Sequence, residues 1–148
     1  RRRKARELAV QVLFHMEFNE EEPREAFRLI AENFVHGQGV RAFAEQLVLG
    51  VCGHREVIDG MLSKASRNWR LQRMSRVDRC ILRIATFEMA FLVDVPPKVS
   101  IDEAVEMAKK FGAEGSGSFV NGLLDHIHNR LVREGKLDGE DPQDVLTG

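Results

Sequence analysis

The sequence contains no apolar run long enough to span a membrane. Its richest apolar stretch, residues 80–93, is interrupted by Arg83 and Glu88, so it falls short of the roughly 18 residues that a spanning helix needs. No signal-peptide pattern opens the sequence. Because the first residue is Arg1 and not Met, we expect a few residues upstream. These features predict a cytoplasmic protein that does not associate with membranes.

An excess of one charge sign is also lacking. The 22 Lys and Arg residues are balanced by 23 Asp and Glu residues, which gives a net charge of −1. This balance excludes a protein that is basic all over, but it allows a local basic patch. The two cysteines, Cys52 and Cys80, form no CxxC pair. We therefore expect buried thiols in a reducing compartment.

Motifs for catalysis and metal binding are absent from the sequence. The glycine-rich turn at residues 114–118 lacks both the lysine and the preceding strand of a phosphate loop. His126 and His128 are two positions apart, so they face different sides of a helix. The carboxylates at residues 102–106 flank a predicted helix start, where the helix dipole accounts for them. We therefore expect no enzyme activity, no metal and no cofactor.

Helical periodicity is the strongest positive signal in the sequence. Apolar residues recur with i, i+3, i+4, i+7 spacing in six segments, and no alternating strand pattern is found. Six helices with short connections predict an all-α fold built as an antiparallel bundle. The fourth segment, which follows Ser75, is apolar on most faces and should be the central helix.

Local signals predict where several helices begin or bend. Ser75, three residues before Asp78, is typical of a helix cap, and the same pattern recurs at Ser100. The third segment, residues 40–62, contains Gly50 and a second glycine three positions later. Because glycine is a poor helix former, we expect a kink or a close helix contact there.

The start of the sequence is basic. Residues 1–6 contain five cations in six positions. At 100° per residue, Arg3, Arg6, Val10 and Phe14 fall opposite the apolar stripe, so cations lie beside an exposed aromatic ring. Cations pair with phosphates and aromatic rings stack on bases, as in single-stranded RNA recognition. A solvated terminus, with Phe14 packed on another helix, is the alternative.

A second basic feature is a run of arginines at every third position between residues 67 and 79. A spacing of three drifts by about 60° per step around a helix, so these residues do not form one stripe. We expect solvation and ion pairing for most of this run.

Four blocks of the sequence, in order, resemble the NusB family. They are RELAVQVLF at residues 6–14, DRCILRIATFE at 78–88, VPPKVSIDEAVEMAKKFG at 95–112 and FVNGLLD at 119–125. The resemblance spans roughly residues 3–128. It implies two packed antiparallel helical sub-bundles, at about residues 1–66 and 67–133. The acidic residues 134–148 lie outside the family core, and we expect them to be disordered.

The resemblance also implies a function. NusB-like proteins have no catalytic activity; they bind the boxA RNA element of ribosomal operons together with the ribosomal protein NusE. The pair joins the antitermination complex on RNA polymerase. Two alternatives stay open. The chain could be the NusB-like RNA-binding domain of an rRNA methyltransferase, or a structural helical homodimer that does not bind RNA.

Site residues follow from the resemblance as well. The RNA-binding positions are the basic start of helix one, its aromatic residue and the turn before the last helix: Arg1, Arg2, Arg3, Lys4, Arg6, Phe14, Gly115 and Phe119. Asp78 and Glu88, acidic positions of the central helix, are expected to contact NusE. Phe14 stands where relatives often have Tyr, and the turn reads GSGS where they often carry larger polar residues. Gly122 is expected to permit close helix packing.

Overall fold

The computed structural model describes residues 2–34, 37–66 and 73–135. Its regular elements in these ranges are seven α-helices: α1 Arg2–Met16, α2 Pro23–Ala31, α3 Gln38–Gly53, α4 Arg55–Ala65, α5 Arg76–Phe91, α6 Pro97–Phe111 and α7 Ser116–Arg133. The predicted all-α class is confirmed. Arg1 and residues 136–148, which make up most of the predicted tail, lie outside the described residues. Among the described helices, none has the length and apolar character that a membrane crossing requires.

Helix α5 lies at the centre of the fold, as its sequence predicts. It packs against α1, α3, α4, α6 and α7, and its residues 80–89 are all buried. Cys80 is fully buried there, and burial raises the pKa of its thiol to about 12. Cys52 on α3 is half-buried. The predicted boundary between sub-bundles falls beside residues 67–72, outside the described part, and stays a prediction.

The two predicted helix caps have different outcomes. Ser75 is the N-cap of α5, where its side-chain oxygen accepts a hydrogen bond from the backbone N–H of Asp78 at 3.1 Å. The cap predicted at Ser100 is wrong, because α6 already begins at Pro97. Proline at the first helical position has its φ pre-set for the helix. Ser100 therefore lies inside α6 and is buried.

The third predicted segment is two helices, α3 and α4, which meet at His54. Four residues before the break, Gly50 provides the close helix contact. A Cβ atom there would overlap the ring of Phe87 on α5. The expectation for Gly122 is wrong, since no described atom lies within 4 Å of the place that a Cβ would occupy on it. Its side of α7 is open.

Replacing Gly50 with Ala should therefore destabilise the protein. Overpacking against Phe87 costs about 1–3 kcal/mol, which should outweigh the roughly 1 kcal/mol that Ala gains in helix propensity. Gly60, inside α4, is the matched control because a Cβ atom added to it would have no described atom within 4 Å. Gly60→Ala should gain up to about 1 kcal/mol. Urea unfolding would contradict the packing argument if both variants were equally stable.

Candidate nucleic-acid interface

The first turn of α1 places two arginines at the surface, each beside an acidic partner. The Arg2 guanidinium lies 4.2 Å from the centroid of the Phe43 ring and 3.7 Å from a carboxylate oxygen of Asp94. Arg3 donates two hydrogen bonds to Glu103 on α6, at 2.9 and 3.0 Å. The hydrogen bonds and charge of Arg3 lower the pKa of the Glu103 carboxyl. Both arginines remain about half exposed.

The exposed face of α1 joins a cation to an aromatic ring. Lys4, Gln11 and Phe14 are all exposed, and their spacing puts them on one side of the helix. Phe14 is 37% exposed, so its ring is open to solvent. Lys4 forms no ion pair with any residue that the structure describes. Ten residues of helix separate Lys4 from Phe14 by about 15 Å. The predicted combination of cations and an exposed aromatic ring is therefore present.

Val10 and Arg6 do not lie on this face, and the prediction that placed them there is wrong. Val10 is buried in the core, and the side chain of Arg6 is buried as well. Arg6 is 3% exposed, and its guanidinium donates two hydrogen bonds to Glu88 at 2.7 and 2.8 Å. Glu88 is fully buried and accepts a third hydrogen bond, from the Ser100 hydroxyl at 2.7 Å. Glu88 is therefore also unable to meet a partner at the surface. Helices α2, α3 and α5 all pack on α1, so the covered part of α1 is wider than one stripe.

The turn before α7 lies beside a hollow in the surface, on a different element from the exposed face of α1. Gly115 has a φ of +88°, a left-handed conformation that glycine adopts without strain. Ser116 and the next two residues belong to α7 itself. Gly115 and the half-buried Phe119 line a hollow of about 290 Å³ between the starts of α5 and α7. Two of the predicted RNA-binding residues thus lie together, on a different element from α1.

Asp78 lies in the wall of the same hollow. It is 8% exposed, and its Oδ2 accepts a hydrogen bond from the Ser116 hydroxyl at 3.1 Å. That hydroxyl also accepts a hydrogen bond from the backbone N–H of Ala113 at 3.0 Å. Asp78 therefore joins the first turn of α5 to the first turn of α7, and it reaches the surface only at the edge of the hollow.

Glu17 forms ion pairs with arginines of α5, and the sequence analysis did not predict this cluster. Its carboxylate accepts from Arg79 at 2.9 Å and from Arg83 at 3.1 Å. Arg83 also donates two hydrogen bonds to Asp59, at 2.8 and 3.0 Å. Burial alone would lower the pKa of Arg83, but the bonds and charge of Asp59 and the charge of Glu17 raise it overall. Ion pairing is confirmed for these arginines, whereas the part of the run at residues 67–72 lies outside the described residues.

A further aromatic residue, Phe18, was also missed. It follows the end of α1 and is 58% exposed, and its ring centroid lies 5.2 Å from that of Phe14. The helical pattern gave no signal for it because Phe18 lies outside the periodic segment. Within the described residues, no group of three His, Cys, Asp or Glu side chains is placed to hold a metal ion.

These features define a class: an all-helical protein whose candidate site is an open surface of cations and aromatic rings. The sequence profile of the NusB family matches residues 3–129. The chain belongs to the NusB family.

Similar proteins extend this result over nearly the whole chain. The transcription antitermination protein NusB of Desulfatibacillum aliphaticivorans is 43% identical over 93% of this chain and 96% of the relative. The protein of the same name from Trichlorobacter lovleyi is 48% identical over 94% and 98%. A crystal structure of the antitermination factors NusB and NusE in complex with dsRNA contains a chain that matches with a TM-score of 0.79 and 30% identity. The match covers 87% of this chain and 96% of that one.

The buried Arg6–Glu88 pair leads to a stability prediction. Removing one partner leaves a charge or its donors buried and unpaired, so Arg6→Met and Glu88→Gln should each cost about 3–5 kcal/mol. The double variant should cost much less than the sum, because neither charge then remains unpaired. Urea unfolding of all four proteins gives this double-mutant cycle. Additivity within about 0.5 kcal/mol would contradict a direct coupling.

Proposed function

We propose that this protein is a transcription antitermination factor that binds boxA-type RNA together with a NusE-type ribosomal protein, without catalysing a reaction. The observation that carries the proposal is the exposed face of α1, with Lys4 at one end and Phe14 at the other. The relatives matched over nearly their full length are named antitermination proteins. A similar chain has been solved together with NusE and dsRNA.

The surface arginines can serve RNA although each has an acidic partner. Exposed ion pairs contribute only about 0–1 kcal/mol, so exchanging Asp94 for a phosphate costs little. Arg3 has a side chain that is 60% exposed, so it can contact a phosphate while its two bonds to the mostly buried Glu103 stay in place. Arg2 and Arg3 then add phosphate contacts beside Lys4, and Phe14 offers a ring on which a base can stack. In this proposal the RNA-binding residues are Arg1, Arg2, Arg3, Lys4 and Phe14, with Gly115 and Phe119 at the hollow between the starts of α5 and α7. Arg6 is left out because it is buried in its pair with Glu88.

The proposed contact with a NusE-type protein lies beside α5 and the start of α7. A small ribosomal protein is basic, so an acidic surface on this side would favour its approach. Glu88 is excluded by its burial, which leaves Asp78 at the edge of the hollow. The protein–RNA complex would then join RNA polymerase in the cytoplasm.

RNA binding should depend on salt in a way that reports the cations of α1. For single-stranded RNA, the log–log slope of affinity against salt is about −0.7 per phosphate contacted. The triple variant Arg2→Gln, Arg3→Gln, Lys4→Gln should therefore flatten the slope by about 2. The control triple variant Arg24→Gln, Arg28→Gln, Lys64→Gln removes the same charge from α2 and α4. Equal slopes for wild type and both variants in filter binding would remove α1 from the interface.

The NusE contact is tested by Asp78→Asn. An Asn oxygen can still accept from the Ser116 hydroxyl, so the melting temperature should hardly move, but the negative charge is lost. We expect weaker binding of purified NusE in calorimetric titration, by roughly 3-fold or more for a charge-assisted contact at the edge of the hollow. Ser118→Ala, an exposed neutral change on α7, is the control. Unchanged NusE affinity for Asp78→Asn would exclude this residue from the contact.

The two alternatives, a domain of an rRNA methyltransferase and a structural homodimer, predict different results in assays with RNA. If this chain is the RNA-binding domain of an rRNA methyltransferase, the product of the full-length gene would methylate RNA, which mass spectrometry of the incubated RNA would detect. A structural homodimer that buries α1 would sediment as a dimer and would not bind RNA. We expect mass spectrometry to find the RNA intact and unmodified, and we expect the protein to bind RNA.

A further inference from the structure

Two aromatic rings lie exposed at the end of α1 and touch each other. Phe14 is 37% and Phe18 is 58% exposed, and their rings meet edge to face with an interplanar angle of 68°. Burying a Phe side chain fully stabilises a fold by about 1.5–3 kcal/mol, and part of this stabilisation is unrealised here, more of it for Phe18 than for Phe14. The pair is arranged as a small apolar platform that faces solvent.

A cation covers part of this platform. The Arg76 guanidinium lies 4.8 Å from the centroid of the Phe18 ring. Its Nε is 3.8 Å from Glu17, and its side chain is 54% exposed. Arg76 is thus held beside the ring by one long ion pair and one cation–π contact, both of which are weak at exposed positions.

The ion-pair cluster that contains Arg76 has more positive than negative charges. The ion-pair cluster around Glu17 and Asp59 contains four arginines: Arg55, Arg76, Arg79 and Arg83. Four cations against these two carboxylates leave an excess of two positive charges. Such an excess next to aromatic rings attracts a phosphate chain and gives its bases a surface on which to stack.

The acidic residues that follow Phe18 face another hollow. Residues 20–22 are all Glu, and together with Met16 and Asn19 they line a separate depression. Glu21 is held there by His15, at 2.7 Å. The platform is therefore bordered by the arginine cluster on the α5 side, while these glutamates line a different depression.

We propose that Phe14, Phe18 and Arg76 form a second RNA subsite that holds one unstacked base and the phosphate next to it. The base stacks on the exposed rings, and the Arg76 guanidinium pairs with the phosphate. The inference rests on the proposed function and extends the RNA path beyond the end of α1 toward α5. Because stacking on an aromatic ring is tolerant of base identity, this subsite adds affinity without choosing a sequence.

Two observations favour RNA over a protein partner at this subsite: the positive charge beside Phe18, and the position of Phe14 on both the platform and the cationic face of α1. Phe14 belongs both to the platform and to the cationic face of α1, so one strand can contact both. The excess positive charge beside Phe18 suits a phosphate chain and opposes a basic ribosomal protein.

The test uses the full chain and two variants that leave the core intact. Phe18→Leu keeps an apolar side chain but removes the ring, and Arg76→Gln removes the cation. Phe91→Leu is the control for the ring, since Phe91 is 37% exposed and packs on His54 instead. Arg24→Gln is the control for the cation, since Arg24 is exposed on α2 and has one long ion pair, at 3.6 Å.

Fluorescence anisotropy with single-stranded boxA-type RNA measures the affinity of each variant and its dependence on salt. Phe18→Leu should weaken binding by roughly 5-fold or more, the loss of one base stack. Arg76→Gln should reduce the log–log salt slope by about 0.7, the loss of one phosphate contact. Both controls should bind as the wild type does, and thermal melting should show that all four variants are folded.

Two results would overturn the subsite. One is RNA binding by Phe18→Leu and Arg76→Gln that equals the wild type in affinity and slope. The other is weaker binding of purified NusE by these variants with RNA binding unchanged, which would make the platform a protein contact. If the wild type itself binds no RNA, the proposed function fails as a whole, so that failure is distinguishable from failure of the subsite alone.

Discussion

The pair between Arg6 and Glu88 determines how the rest of this structure is arranged. Two hydrogen bonds from Arg6 and one from Ser100 converge on a single buried carboxylate, so α1, α5 and α6 are joined at one point. Taking two charges out of water costs several kcal/mol per ion, and only close geometry with further hydrogen bonds compensates for it. The pair is therefore better understood as a constraint on helix orientation than as a source of net stability.

That constraint decides which residues of α1 reach solvent. With Arg6 fixed toward α5, the helix can only turn Lys4, Gln11 and Phe14 outward. Arg3 is directed to Glu103 on α6 as a consequence. The candidate RNA surface is thus a result of the buried pair, although neither member of the pair belongs to that surface. The near-neutral chain carries its positive potential locally, on this face and around Glu17.

Much of the fold could be predicted from the sequence because it depends on local patterns. Apolar spacing located most of the helices, the segment that is apolar on most faces identified α5 as the central helix, and Ser75 marked its start. Gly50 indicated a close contact, and the ring of Phe87 provides it. The cap at Ser100 was predicted wrongly, because the same Ser-x-x-Glu spacing can occur inside a helix whose start is set earlier by Pro97.

The candidate site was less predictable because it depends on partners far away in the sequence. A helical wheel for α1 assumes one covered stripe, but three helices cover it, and so Arg6 was placed outside. Glu17 meets Arg79 across 62 residues, a distance at which no local pattern operates. Phe18 lies after the last turn of α1, where periodicity ends. Charge and aromatic content could therefore indicate a candidate nucleic-acid surface with Lys4 and Phe14 on it, but not the burial of Arg6 or the exposure of Phe18.

The central claim is that RNA binds to the outer face of α1 and leaves the buried pair intact. NMR titration of the ¹⁵N-labelled protein with single-stranded boxA-type RNA tests it most directly. We predict that backbone signals of Lys4, Gln11, Phe14 and Phe18 shift together, while the side-chain Nε signal of Arg6 stays in place. Shifts confined to α2 and α4, with the signals of α1 unchanged, would contradict this claim.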